Sequence, residues 1–188
     1  MEGIEQLRRV DGVQSRLPRW LLNAALACML LEAAANWSPW MLWLDTHAPW
    51  AQAVVCTFGA VVFYVGLLRG MKPLYKPMSA MWWVVIALNL AGFLTTLVTA
   101  IPAEVGLGVA VLLMLVYVPL GVAIAIFYRG RLQQVGIWMV LYILISSIVP
   151  VVSFLLLGPA AGMDNLPMEV LTIGVVAVYG IVMRRVLR

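Results

Sequence analysis

Six long apolar runs, separated by short polar connections, constrain this chain more than any other feature of its sequence. A helix needs about 17–25 apolar residues to cross the hydrocarbon layer of a bilayer. Five of the runs meet that length, and the last one is short unless it begins at Leu166. The runs span residues 20–36, 51–68, 81–101, 105–128, 135–157 and 168–183.

The composition requires lipid as the solvent for these runs. Hydrophobic residues make up 64% of the chain and charged residues 11%, whereas soluble domains carry about 25% charged residues. A soluble core of this size could not bury so much apolar surface. We therefore expect an all-α integral membrane protein, in which residues 20–188 form a six-transmembrane-helix bundle connected as three hairpins.

The positions of the basic residues predict the orientation of this bundle. With six crossings, all twelve lysines and arginines fall on one side, and the other side carries acidic residues and His47 but no Lys or Arg. Because cytoplasmic loops carry the excess positive charge, we expect both termini in the cytoplasm of a bacterial-type inner membrane. The net charge of +4 then reflects topology, which argues against a nucleic-acid partner and makes anionic lipid headgroups natural neighbours.

Residues 1–19 precede the first run and have a pattern of their own. Apolar residues recur there at near-helical spacing, and Glu5 lies four residues before Arg9. This pattern predicts a cytoplasmic amphipathic helix lying on the membrane surface. A partly disordered tail is the alternative. The apolar positions are Ile4, Leu7, Val10, Val13 and Leu17.

Glu32 lies inside the first run, in the stretch MLLEAAANW. If Trp20 marks the inner interface, Glu32 lies about 18 Å into a layer about 30 Å thick. An ionised carboxylate in the hydrocarbon costs about 2–3 kcal/mol or more, so we expect Glu32 to be protonated, paired or facing a wet cavity. Small or polar neighbours on its helical face indicate that it faces protein. Two interpretations remain open: a ligand, proton or cation site, or a protonated residue that bonds helices together or reaches the interface.

Other helices also carry polar residues and helix-interrupting residues. The third helix has one stripe of Asn89, Gly92, Thr96 and Thr99, spaced for a single face. Interrupted helices free carbonyls that can face a cavity, although ordinary helix packing would use the same residue types. The fourth and fifth helices contribute Tyr117, Pro119, Tyr142, Ser146 and Pro150. From these positions we assemble a candidate ligand-binding site: Glu32, Asn36, Asn89, Thr96, Thr99 and Ser146.

Motifs for catalysis, cofactors and metals are missing from the sequence. A single histidine excludes bis-histidine haem ligation and most histidine-built metal centres, and there is no H-E-x-x-H, G-x-S-x-G or P-loop. Asp45 and His47 are a weak acid–base or metal pair. We predict no cofactor, metal site or catalytic residue. Cys28 and Cys56 lie in apolar runs and are read as packing residues, as is a seam of Gly59, Phe63, Gly66 and Gly70.

Two functions of different classes follow from these residues. The first is a membrane module that binds or translocates a small solute or cation in the outer half of the bundle, with an ion gradient or a partner supplying energy. The second is a non-catalytic membrane subunit, assembly factor or immunity-type protein that docks to other membrane proteins or to its own copies. In the second, Glu32 and the glycine seam would be docking surfaces. An embedded enzyme that uses Asp45 and His47 ranks last.

Overall fold

The computed structural model describes residues 9–35, 37–71, 76–98, 103–145 and 166–187. Apart from the segment before Arg19, these residues are almost entirely helical, which confirms the all-helical prediction. The helices are α1 (Arg19–Ala35), α2 (Ser38–His47), α3 (Pro49–Met71), α4 (Lys76–Leu97), α5 (Ala103–Phe127), α6 (Arg131–Ile143) and α7 (Leu166–Val186).

Each of the six apolar runs overlaps a helix in its described part, and the helices differ in length. Within the described residues, three segments are long and apolar enough to cross a membrane: Ala53–Met71 in α3, Met78–Thr95 in α4 and Gly108–Phe127 in α5. The α1 helix has 17 residues, and α6 is described over 13, because much of the fifth run lies outside the described residues. The chain is thus a helical membrane protein.

The six long helices form a closed ring in chain order. The α1 helix packs against α3, each later helix packs against the next, and α7 packs back against α1. The three predicted hairpins, α1 with α3, α4 with α5 and α6 with α7, are neighbouring pairs in this ring. The short α2 helix, which the sequence leaves as a connection, contacts α1 and α3, and a proline in its first turn favours its start.

Glycines allow the closest helix approaches in the ring. A Cβ on Gly59 would lie 3.1 Å from the backbone oxygen of Ala25 and 3.2 Å from Cβ of Cys28, both in α1. A Cβ on Gly66 would lie 2.9 Å from the side chain of Leu187, and a Cβ on Gly70 would overlap the side chain of Val13. The predicted glycine seam of α3 is therefore a packing surface, and it is used within the chain.

Basic residues gather at one end of the ring, which we call the basic end (residues 9–19, 69–71, 129–132 and 184–187). The amide nitrogen of Val10 donates to the carbonyl of Arg129 over 3.0 Å, and that of Val13 donates to the carbonyl of Val186 over 2.8 Å. The carbonyl of Val10 also accepts from the amide of Leu132 over 3.0 Å. The end of α3, the turn between α5 and α6 and the end of α7 are thereby joined by the N-terminal segment.

The predicted N-terminal amphipathic helix is wrong for residues 9–18, which form no helix; residues 1–8 lie outside the described part. The segment is not helical because its backbone and side chains have partners in the helix ends of the ring. Its backbone satisfies an otherwise unpaired amide at the start of α6 and a carbonyl at the end of α7. Val13, only 2% exposed, fills the space that Gly70 leaves, and Ser15 is fully buried. These contacts are unavailable to a helix lying on a membrane surface.

Tryptophans mark the opposite end, which we call the tryptophan end. Trp37, Trp40, Trp43 and Trp50 lie in or beside α2 and are 46–62% exposed, as expected of residues at a membrane interface. Large apolar side chains such as Leu115 and Ile126 are exposed along the outside of the ring. The largest fully buried side chains, including Trp82, Leu132 and Met71, lie in the interior.

Candidate functional site

Each ring helix contributes one side chain to a continuous string of contacts through the bundle. The string begins at Trp82 of α4, whose indole nitrogen donates to the sulfur of Met71 over 3.3 Å. The ring of Trp82 stacks on Tyr64 of α3, with centroids 5.4 Å apart. Tyr64 in turn makes an edge contact with Tyr117 of α5, at 5.7 Å. Aromatic pairs in these arrangements stabilise a core beyond the area that they bury.

The string continues through hydroxyl groups to Glu32. The hydroxyls of Tyr117 and Tyr179 of α7 are hydrogen-bonded at 3.2 Å, and Tyr179 stacks on Tyr142 of α6 with centroids 5.3 Å apart. The hydroxyl of Tyr142 donates to Oε1 of Glu32 over 3.2 Å. All six ring helices are thus joined by this string. We call Tyr64, Trp82, Tyr117, Tyr142 and Tyr179 the aromatic cluster.

A cavity of about 110 Å³ lies between Glu32 and this cluster. Since one water occupies about 30 Å³ of liquid volume, the space suits a few waters or one small molecule. Side chains from α1, α3, α4, α5 and α6 surround it. We call it the polar cavity; its lining includes Glu32, Cys56, Thr57, Tyr64, Asn89, Tyr117 and Tyr142.

The polar groups of this cavity include several hydrogen-bond acceptors. The amide nitrogen of Asn89 donates to the carbonyl of Val85 over 2.8 Å, which uses one of its two N–H groups and leaves the amide oxygen as an acceptor. Glu32 adds a carboxylate, and Thr57 and the tyrosines add hydroxyls. A carboxylate has no donor when ionised, and a hydroxyl can both donate and accept. Such a lining suits a molecule that donates hydrogen bonds or carries positive charge.

Two further cavities adjoin the polar cavity. One of about 250 Å³ lies between α1, α2 and α3 and is walled almost entirely by apolar side chains; we call it the apolar cavity. The other, of about 410 Å³, lies between α3, α4 and α5. Cys56 lines all three cavities, Glu32 lines the polar and apolar ones, and Asn89 lines the polar and the largest one. The three cavities therefore share a few lining side chains.

The structure brings together two of the six predicted site residues. Glu32 and Asn89 line the same cavity. Asn36, Thr99 and Ser146 lie outside the described residues, and for Thr96 only the backbone, within α4, is described. These four assignments stay predictions.

The cavity is completed by side chains that are not part of the site predicted from the sequence. The sequence marks Tyr117 and Tyr142 as polar positions of their helices, but it gives no such sign for Tyr64 and Thr57, which also line the cavity. Cys56, read as a packing residue, also lines the cavity. A tyrosine seven residues from the end of an apolar helix is typical of an interfacial residue, so the position of Tyr64 in the sequence does not reveal that it is buried inside.

The Asp45–His47 pair gains no support as an acid–base site. The His47 ring stacks on Trp43 at 5.0 Å, and its Nδ1 donates to the carbonyl of Trp43 over 3.0 Å; the side chain of Asp45 is outside the described set. Among the side chains that are described, no three of the His, Cys, Asp and Glu type come together.

No family model matches this chain, and neither a curated protein nor a solved structure matches it. The geometry of the polar cavity and the distribution of charge are therefore the observations that bear on function.

Proposed function

We propose that this protein crosses a bacterial-type inner membrane six times and binds a small solute, most favourably a cation, in the polar cavity. Both termini are cytoplasmic and the cavity lies in the outer half of the bundle. The observation that carries the proposal is the position of Glu32. It is a carboxylate of an apolar helix, and it opens on a cavity whose other polar walls are tyrosines, Thr57 and Asn89.

Three features support the six crossings and their direction. In the closed ring, α1, α6 and α7 pack alongside the three helices that are long enough to span a membrane. Basic side chains cluster where residues 9–13 join the ends of α6 and α7, and the tryptophans lie at the opposite end. By the rule that cytoplasmic loops carry the positive charge, the basic end faces the cytoplasm.

The lining of the polar cavity favours a cation over an anion. An acceptor-rich wall satisfies the donors of an ammonium or guanidinium group, and a carboxylate and aromatic rings both attract positive charge. An anion at the same place would be repelled by Glu32. The connections at the tryptophan end contain no Lys or Arg, which modestly favours the approach of cations from that side.

Among the described residues, packed side chains close the basic end. Val13 packs into the notch at Gly70, and Leu132, Met183 and Val186 are fully buried nearby. The conformation therefore resembles one that binds its solute from the tryptophan side. Since the sequence has no P-loop, movement of the solute to the cytoplasm would need an ion gradient or a partner protein.

The alternative, a docking subunit, is less favoured because its two proposed docking surfaces lie inside the bundle. Glu32 faces the polar cavity, and the glycine seam of α3 packs against α1 and against Val13 and Leu187. Other apolar faces of the ring remain for a membrane partner or a second copy.

The proposal is tested by measuring cation binding to the full-length protein and to Glu32→Gln. We expect methylammonium to bind the parent and to raise its thermal midpoint, since a ligand at 100 times its Kd stabilises by about 2.7 kcal/mol. In Glu32→Gln the Kd should rise at least tenfold. Glu169→Gln, the same change in the first turn of α7, is the matched control and should bind as the parent does.

Two results would count against solute binding. One is a parent protein that responds to none of ammonium, methylammonium, guanidinium, Na⁺ or K⁺. The other is unchanged affinity in Glu32→Gln. Loss of a co-purifying membrane protein in Glu32→Gln, without any cation response in the parent, would favour the docking alternative.

The topology has its own test in a background with Cys28→Ser and Cys56→Ser. Single cysteines are introduced at Thr46, exposed near the tryptophan end, and at Arg185, exposed at the basic end. A membrane-impermeant thiol reagent applied to intact cells should label the first and spare the second. Labelling of both sites, or of Arg185→Cys alone, would contradict the proposed orientation.

A further inference from the structure

The apolar cavity is a distinct space beside the polar one. Its volume is about 250 Å³, and cavities of about 150 Å³ accommodate a benzene ring. Its lining includes Trp40 and Leu44 of α2, Ala51 and Val55 of α3, and residues of α1. An apolar group of one ring or a short alkyl chain would fit.

Glu32 and Cys56 line both the polar and the apolar cavities. The Glu32 side chain therefore lies between a polar space of about 110 Å³ and an apolar space of about 250 Å³. A single molecule that satisfies both must have a small positively charged group at one end and an apolar group at the other.

We propose that the two cavities form one site for an amphipathic primary amine. Its ammonium group lies beside Glu32, with Asn89 and the cavity hydroxyls as acceptors, and its alkyl or aryl group lies between α2 and α3. This inference rests on the proposed function and names its substrate class. The α2 helix thereby gains a role: it supplies Trp40 and Leu44 as the cover over the apolar half.

Chain length provides the measurable signature of such a site. Each buried methylene contributes about 0.8 kcal/mol, which is about fourfold in affinity. Methylammonium reaches only the polar cavity, whereas butylammonium carries three more methylenes into the apolar one. We expect butylammonium to bind roughly 60-fold more tightly than methylammonium if all three are fully buried, and butanol, which lacks the charge, to bind far more weakly than butylammonium.

The experiment uses the full-length protein in nanodiscs of phosphatidylcholine and phosphatidylglycerol, which contain no primary amine. Calorimetric titrations compare methylammonium, butylammonium and butanol. Ala51→Leu fills the apolar cavity. It should raise the Kd of butylammonium at least tenfold, while the Kd of methylammonium should stay within twofold of the parent value. Ala27→Leu, the same change at an exposed position of α1 outside this cavity, should alter neither.

A second variant keeps the test informative if Ala51→Leu folds poorly. Leu44→Ala enlarges the apolar cavity, so hexylammonium should gain affinity relative to butylammonium. Adding phosphatidylethanolamine to the nanodiscs identifies the source of the amine: competition with butylammonium would assign it to a lipid headgroup, and no competition to a free amine.

The outcomes separate this inference from the proposed function. If methylammonium and butylammonium bind equally in the parent, the two-cavity site is overturned while cation binding stands. If butanol binds as tightly as butylammonium, the apolar cavity acts alone and the inference fails. If no amine binds at all, the proposed function itself fails.

Discussion

The hydroxyl of Tyr142 donates a hydrogen bond of 3.2 Å to Oε1 of Glu32, linking α6 to α1 at the edge of the polar cavity. The ring of Tyr142 is held in turn by stacking on Tyr179, so the donor is fixed in position. An acidic residue within an apolar helix is costly unless such a partner is present. The pair therefore makes Glu32 tolerable in the bundle and also orients it toward the cavity.

Replacing Tyr142 by Phe tests this relationship. The ring stacking is kept and only the donor is lost, so the free energy of unfolding should fall by about 0.5–2 kcal/mol. The carboxyl stretching band of Glu32, identified in the infrared spectrum by comparison with Glu32→Gln, should shift. Tyr179→Phe is the control, because it removes the hydrogen bond to Tyr117 and leaves the contact with Glu32. An unchanged carboxyl band in Tyr142→Phe would show that the hydrogen bond does not govern Glu32.

The sequence predicts the helices well because their signal is local. Length and apolar content identify each of the six ring helices but not α2, and the one-sided distribution of basic residues agrees with the basic end that the structure shows. Glu32 stands out for the same reason, since a carboxylate in an apolar run is rare whatever surrounds it.

The walls of the cavity depend on tertiary contacts that no local pattern reports. Tyr64 and Tyr179 each lie five residues before an arginine, where a tyrosine is ordinarily interfacial, yet both are buried in the aromatic cluster. The structure of the N-terminal segment also depends on tertiary contacts that its sequence pattern does not reveal. Its apolar spacing suits a helix, but the vacant backbone groups at the ends of α6 and α7 give it a better set of partners.

Gly136→Ala should destabilise the ring at the crossing of α5 and α6. A Cβ there would lie 2.5 Å from the carbonyl oxygen of Gly121 and 2.6 Å from the amide nitrogen of Ala125, and backbone atoms cannot move aside independently. We expect a loss of about 1–3 kcal/mol, measured as denaturant or thermal unfolding in detergent. Gly174→Ala is the matched control, because its Cβ would meet nothing within 4 Å. Equal stability of the two variants would contradict the close crossing.

Val13→Asp should release the N-terminal segment from the basic end. The new carboxylate would replace a side chain that is 2% exposed and packed at Gly70, and burying an unpaired charge costs several kcal/mol. Limited proteolysis should then cleave near residues 9–17 much faster than in the parent. Gln14→Asp introduces the same group one residue later at an exposed position and should leave the cleavage rate unchanged. Similar rates in the two variants would show that Val13 does not anchor the segment.

Cys56 should report directly on occupancy of the polar cavity. It lines all three cavities, whereas Cβ of Cys28 lies at the α1–α3 crossing, 3.2 Å from the position a Cβ on Gly59 would take. In Cys28→Ser, where Cys56 is the only thiol, 2-aminoethyl methanethiosulfonate should modify the protein, and methylammonium should slow the reaction in proportion to its occupancy. In Cys56→Ser the remaining Cys28 should react without protection by methylammonium. Protection of Cys28 but not of Cys56 would place the cation outside the polar cavity, because the cavity wall contains Cys56 and Glu32 together.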